Sequence, residues 1–177
     1  ATPGMAGMEA TKTVKQVGPT PAGWMVRVDR AEMKAENLNF VAMGQGMHVT
    51  TGDPASFWNP ANTATGAYTV AATFGVRATP LHDAVGLFWG GSELSGEKES
   101  YAYFIVYGDG KFTVKHRAGG NSATASARNN NTGDVHTVID KTANDAIKAA
   151  PADGGSASNA LEVRVAKDSV RFVVNGT

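Results

Sequence analysis

The side chains that could do chemistry in this chain include four histidines, sixteen carboxylates and a set of aromatic rings, but no cysteine. Thiolate catalysis, disulfides and cysteine-based metal centres are therefore excluded. His48, His82, His116 and His136 are far apart in sequence and lack the spacing of zinc ligands. Asp53, Asp83 and Asp109 lie in turn-like segments and keep a loop calcium site open, since Ca²⁺ accepts loop carbonyls together with carboxylates. Glycoside hydrolysis needs a pair of carboxylates across a cleft. No E-x-D-x-x-E string places alternate acids on one strand. Glu93, Glu97 and Glu99 cluster in one loop, where charge is ordinarily just solvated. There is no G-x-S-x-G nucleophile elbow either. The residues contain no recognisable catalytic motif, so whether the chain is an enzyme stays open.

The run Val85-Gly86-Leu87-Phe88-Trp89-Gly90-Gly91-Ser92 raises the question of a phosphate-binding loop. Its glycines fit neither GxGxxG nor the P-loop, and the following Ser-Glu-Leu-Ser-Gly-Glu is turn-rich rather than the start of a helix. They read instead as strand positions where a facing sheet or a ligand comes close. Within this strand, Leu87 in the core would put Trp89 there too and Phe88 on the groove; the preferred arrangement has Gly86 and Phe88 on the core face and Trp89 on the groove. What remains is aromatic chemistry. Trp58 and Asn59 of SFWNP, Trp89, Tyr101 and Tyr103, with Lys115 and Arg117, form a candidate ligand-binding set. Sugar rings stack their C–H faces on aromatic rings, while Asn, Lys and Arg bond the hydroxyls. Trp58 leads this set, because it sits in a Pro/Asn turn rather than an alternating run. Trp24 is assigned to the core or a sheet edge.

These residues must be carried by strands. Alternating or β-branched runs appear at residues 24–29, 47–51, 67–77, 85–89, 101–107, 111–117, 161–166 and 169–174, separated mostly by turn signals. The segment YGDGKF marks a hairpin. A three-residue loop sets Tyr107 opposite Lys111 and puts Phe104, Val106, Phe112 and Val114 on one face. Tyr101, Tyr103, Tyr107, Lys115 and Arg117 then share the other. A two-residue loop would mix the two sets, so the longer loop is preferred. One short helix is expected over residues 141–150, stopped by Pro151. Residues 119–134 are polar and of low complexity, and read as a long loop. Asn175-Gly176 has the type I′ turn signature with no strand after it, so a strand-completing partner or a continuation of the chain after Thr177 is expected.

Composition sets the outer limits. A chain of 177 residues, 42% apolar, is enough for one domain with a core. Residues 1–22 read as a lead segment and 23–177 as the domain. Sixteen basic residues balance sixteen acidic ones, which argues against nucleic acid and against an anionic membrane surface as partners. No run reaches the roughly 18 apolar residues of a membrane-spanning helix. The small, polar start ATPGMAGMEA and the lack of cysteine suit a periplasmic or secreted protein.

The segments GLFWGGSEL, SYAYFIVYGDGKFTVKHRAG and SNALEVRVAKDSVRFVVNGT together resemble the concanavalin A-like lectin/glucanase superfamily. They are most similar to laminin-G-like and 3-keto-disaccharide-hydrolase-like domains of exported bacterial proteins. The resemblance spans about residues 66–177. It implies an all-β jelly-roll sandwich of two antiparallel sheets, with a glycan on the concave face or its rim. It carries over no catalytic residue, for want of a matching acid motif. The resulting expectation is a non-catalytic carbohydrate-binding β-sandwich taking a glycan or oligosaccharide. The alternatives are a glycoside-processing hydrolase using acids from separate loops, such as Glu93, Glu97, Glu99 or Asp83, and a structural or protein-interaction module.

Overall fold

The computed structural model describes residues 20–29, 38–51, 54–78, 84–96, 98–118 and 135–177. All regular structure among them is strand: β1 (Met25–Val28), β2 (Leu38–Met43), β3 (Gly46–Thr51), β4 (Ala55–Trp58), β5 (Tyr68–Arg77), β6 (Ala84–Ser92), β7 (Ser100–Tyr107), β8 (Lys111–Ala118), β9 (Val135–Ala143), β10 (Ser156–Val165) and β11 (Val170–Val174). They form four antiparallel sheets. The all-β expectation holds. The expected loop at 119–134 lies outside the described residues, as do Asp53, Asp83, Glu97 and His82.

The chain divides into two compact units, Ala1–Thr63 and Ala64–Thr177. In the first, β1 pairs with β4 and β2 with β3. Leu38 and Phe40 are its buried apolar residues among those described, and Phe40 meets Phe57 of β4 edge-on, with ring centres 5.4 Å apart. Trp24 precedes β1 and is exposed, which rules out the core and leaves the sheet-edge alternative of its assignment.

The second unit is a β-sandwich. One sheet runs β11-β10-β5 and the other β6-β7-β8-β9. Alternation decides what lies between them. Val76 from β5, Leu161 and Val163 from β10 and Val174 from β11 meet Leu87, Phe104, Val106 and Val114 from β6, β7 and β8. Phe172 closes the layer, with its ring 5.0 Å from Phe104 and 5.5 Å from Trp89.

The expected three-residue hairpin loop is present. Tyr103 pairs with Lys115, Phe104 with Val114 and Val106 with Phe112. The Gly110 N–H donates to the Tyr107 carbonyl (3.2 Å), and Gly110 adopts φ +78°, the left-handed geometry that closes such a loop.

Two expectations need correction. No helix forms over residues 141–150: Lys141–Ala143 end β9, and the chain then turns. Asn144 makes that turn, its Oδ1 accepting the Ala146 N–H (2.9 Å) and its carbonyl accepting the Ile147 N–H (3.0 Å). This local bonding competes with a helical start, and Ile147 drops into the core. The second correction concerns β6. Leu87 pairs with Phe104 and Trp89 with Ala102, whereas Phe88 pairs with Tyr103. Because Leu87 is core, Trp89 shares its inward face and Phe88 points the other way.

Candidate functional site

The face of the four-stranded sheet turned away from the core brings together part of the candidate set. Cross-strand pairing makes one row of Phe88, Tyr103, Lys115 and Thr137, and beside it a second of Tyr101, Arg117 and Val135. Such neighbours on one face stand close enough for rings and long side chains to touch. The Tyr101 ring lies 5.1 Å from Phe88 and 5.8 Å from Tyr103, centre to centre. The Arg117 guanidinium carbon lies 5.8 Å from the centre of the Tyr101 ring. The period-2 rule and the hairpin register suffice to assemble this group. Phe88 joins it through the alternative arrangement of β6, with Leu87 inward.

The two rows differ in availability. Tyr101 and Arg117 are buried, and so is Glu99, whose Oε1 lies 3.5 Å from Arg117 Nη1. A buried carboxylate and guanidinium compensate each other's desolvation, so the pair orders the sheet face more than it offers charge to a ligand. Phe88, Tyr103 and Lys115 are half-buried, and Lys115 forms no ion pair with a described residue. Phe88, Tyr103 and Lys115 thus form the less buried row, beside the buried Tyr101, Arg117 and Glu99.

The other candidates fall elsewhere. Trp89 packs against the core beside Phe172. Trp58 and Asn59 belong to the first unit. Trp58 ends β4 opposite Met25, inside a strand rather than in the expected turn. Asn59 makes the turn that follows: its Oδ1 accepts the Ala61 N–H (2.9 Å) and its carbonyl accepts the Asn62 N–H (2.9 Å). Such a bond fixes the backbone locally.

Of the candidate acids for hydrolysis, Glu93 and Glu99 are among the described residues. Glu99 is held by Arg117, and Glu93 lies in the bend after β6 with φ +50°. Asp109, a calcium candidate, accepts from Lys111 (3.3 Å) and Lys141 (3.1 Å) at the hairpin tip. Burial raises its pKa, but the hydrogen bonds and charges of the two lysines outweigh that and hold the carboxyl below its usual range. No group of three or more His, Asp or Glu suited to a metal occurs among the described residues. His116 pairs with His136 across β8 and β9, and its Nε2 lies 3.3 Å from Ser100 Oγ.

Gly86 shows what the glycine run in β6 does. A Cβ there would run into the Phe104 carbonyl oxygen and come within 2.7 Å of the Ile105 Cα. The neighbouring strand itself, rather than a ligand, makes the close approach.

No family model, no curated protein and no solved structure matches this chain. The superfamily resemblance accordingly rests on the quoted segments alone.

Proposed function

We propose that this protein is a non-catalytic, glycan-binding β-sandwich working outside the cytoplasm, with the sugar seated on the face formed by Phe88, Tyr103 and Lys115. The observation that carries this reading is the ladder of three touching rings with cations beside it, on the sheet face opposite the core. Rings offer a flat apolar surface to the C–H face of a pyranose, and an ammonium group beside them bonds hydroxyls or ring oxygens. The resemblance to concanavalin A-like domains points the same way, and the lack of a paired acid motif favours binding over hydrolysis.

Calorimetry against a panel of oligosaccharides tests it. Tyr103→Ala should weaken binding of a responding sugar about tenfold or more, a loss of roughly 1.4 kcal/mol. Lys115→Ala should weaken it less, and neither change should lower the thermal midpoint greatly. Silence across a wide panel would remove the proposal. Loss of binding in Trp58→Ala but not in Tyr103→Ala would move the site to the first unit.

A further inference from the structure

We infer that His116 and His136 form a two-imidazole chelate for a divalent transition-metal ion, Cu²⁺ in preference to Ni²⁺ and Zn²⁺. The pair lies on the opposite face of the sheet from Phe88, Tyr103 and Lys115, so metal and sugar would be bound separately.

Sheet pairing brings together what sequence spacing keeps apart. Trp89 pairs with Ala102, Ala102 with His116 and His116 with His136. One row of side chains thus crosses all four strands on the inward face. An irregularity falls between Val114 and Lys115, but beyond it the register runs evenly. Lys115 faces Thr137, His116 faces His136 and Arg117 faces Val135. Residues directly opposed in an antiparallel pair carry their Cβ atoms about 5 Å apart on the same face. Two nitrogens bound to one ion at about 2.0–2.1 Å each can be at most about 4 Å apart. Rings on such neighbours reach that separation by rotation about their side-chain torsions.

The two rings are also differently prepared. His116 is half-buried, and its Nε2 lies 3.3 Å from Ser100 Oγ. In the tautomer whose Nε2–H donates to that hydroxyl, Nδ1 keeps its lone pair and is the ligand atom. A metal-binding histidine is ordinarily held in this way, by an oxygen on its other nitrogen. His136 is exposed on β9, the outer strand of the sheet, and no hydrogen bond ties its ring to another described residue. It can therefore turn towards an ion arriving from solvent.

The donor type selects the ion. Imidazole nitrogens suit Cu²⁺, Ni²⁺ and Zn²⁺, with Cu²⁺ bound most tightly, whereas Ca²⁺ and Mg²⁺ require oxygen ligands. The row contains no carboxylate, so water completes the coordination sphere.

Calorimetric titration of the chain with CuCl₂, NiCl₂ and ZnCl₂ tests the site, with electron paramagnetic resonance reading the Cu²⁺ ligands. The chain should bind one Cu²⁺ at this site, more tightly than Ni²⁺ or Zn²⁺, with hyperfine splitting from two nitrogens. His116→Ala and His136→Ala should each weaken binding about tenfold or more, because either imidazole alone loses the high effective concentration of its partner. The double variant should be little worse than either single one. His136→Ala, at an exposed position, keeps the test decisive should His116→Ala disturb the fold, which far-UV circular dichroism would reveal. Excess Ca²⁺ should not displace the bound ion. Undiminished binding in the double variant would overturn the inference. An equal loss in His48→Ala, or no binding of any of the three ions, would overturn it as well.

Discussion

Asn159 is fully buried on the inward face of β10, a position where alternation calls for an apolar residue. It is tolerated because its amide is satisfied. Its Oδ1 accepts the Lys148 N–H (2.8 Å) and Asn175 Nδ2 (2.9 Å), and its Nδ2 donates to the Lys148 carbonyl (3.0 Å). One side chain thereby ties the 144–150 turn to β10 and to the β11 turn. Replacement by Ala would strand a backbone N–H and a backbone carbonyl at once and leave Asn175 Nδ2 with only the Ala146 carbonyl. Asn159→Ala should cost about 3 kcal/mol in urea denaturation. Asn159→Asp keeps the acceptor but removes the donor and buries a charge, so it should be no better at neutral pH. A cost below about 1 kcal/mol for both would mean that water replaces the network.

Among the elements, the β7–β8 hairpin joins a legible signal to a charge cluster that no sequence pattern announces. At its tip Asp109 lies between Lys111 and Lys141, and Lys141 Nζ sits 3.9 Å from the centre of the Tyr107 ring. The Tyr107 phenol is raised above its usual 10.0, first by burial and then by the Asp109 charge. Asp109 is held below its usual 3.8. A depressed carboxyl stabilises the fold above its unfolded pKa, and that contribution is lost as pH falls through the folded value. A raised phenol stabilises it below about 10, and that contribution is lost as pH rises through its folded value. Asp109→Asn should therefore flatten the acid side of the stability profile, by only about 0.5 kcal/mol because the pair is solvent-screened. It should also bring the Tyr107 titration, followed by ring-carbon NMR shifts, back towards 10. An unchanged Tyr107 titration would show that its charge coupling to Asp109 is negligible.

The same hairpin shows why some elements could be read and others not. Asp109-Gly110 between two alternating runs left one clean register, and with it the partners of Tyr103 and Lys115 followed. β9 was obscured because Lys141–Ala143 carry helix-compatible residues that merge with the alanines after Asn144. Its actual order comes from pairing with β8 and from the Asn144 turn. β2 and β4 lack clean alternation or length, and their pairing with β3 and β1 defines them. The face of Trp89 turns on one residue of register. Leu87 settles it through Phe104, a contact between strands that no local pattern encodes.

At the scale of the whole molecule, the core of the sandwich is drawn from one continuous stretch of chain. Every buried member, from Val76 to Val174, lies in the unit that begins at Ala64. Both sheets, the hairpin and the ring ladder of the proposed sugar face are contained there as well. A stretch of this length that encloses its own apolar layer meets the usual requirement for folding alone. Residues 64–177, expressed without the first unit, should therefore unfold in a single cooperative transition. Trp89 is the only tryptophan in that fragment and contacts Phe172 of the opposite sheet, so its emission reports directly on sandwich closure. Its spectrum should be blue-shifted when folded and should move to the red with the same midpoint as far-UV circular dichroism. A fragment that retains strand signal but shows a red, denaturant-insensitive Trp89 would mean that the two sheets do not close by themselves. Should the fragment fold, it becomes the natural host for the Tyr103 and Lys115 variants: sugar binding retained by residues 64–177 would place the ligand on the ring ladder without any contribution from Trp58.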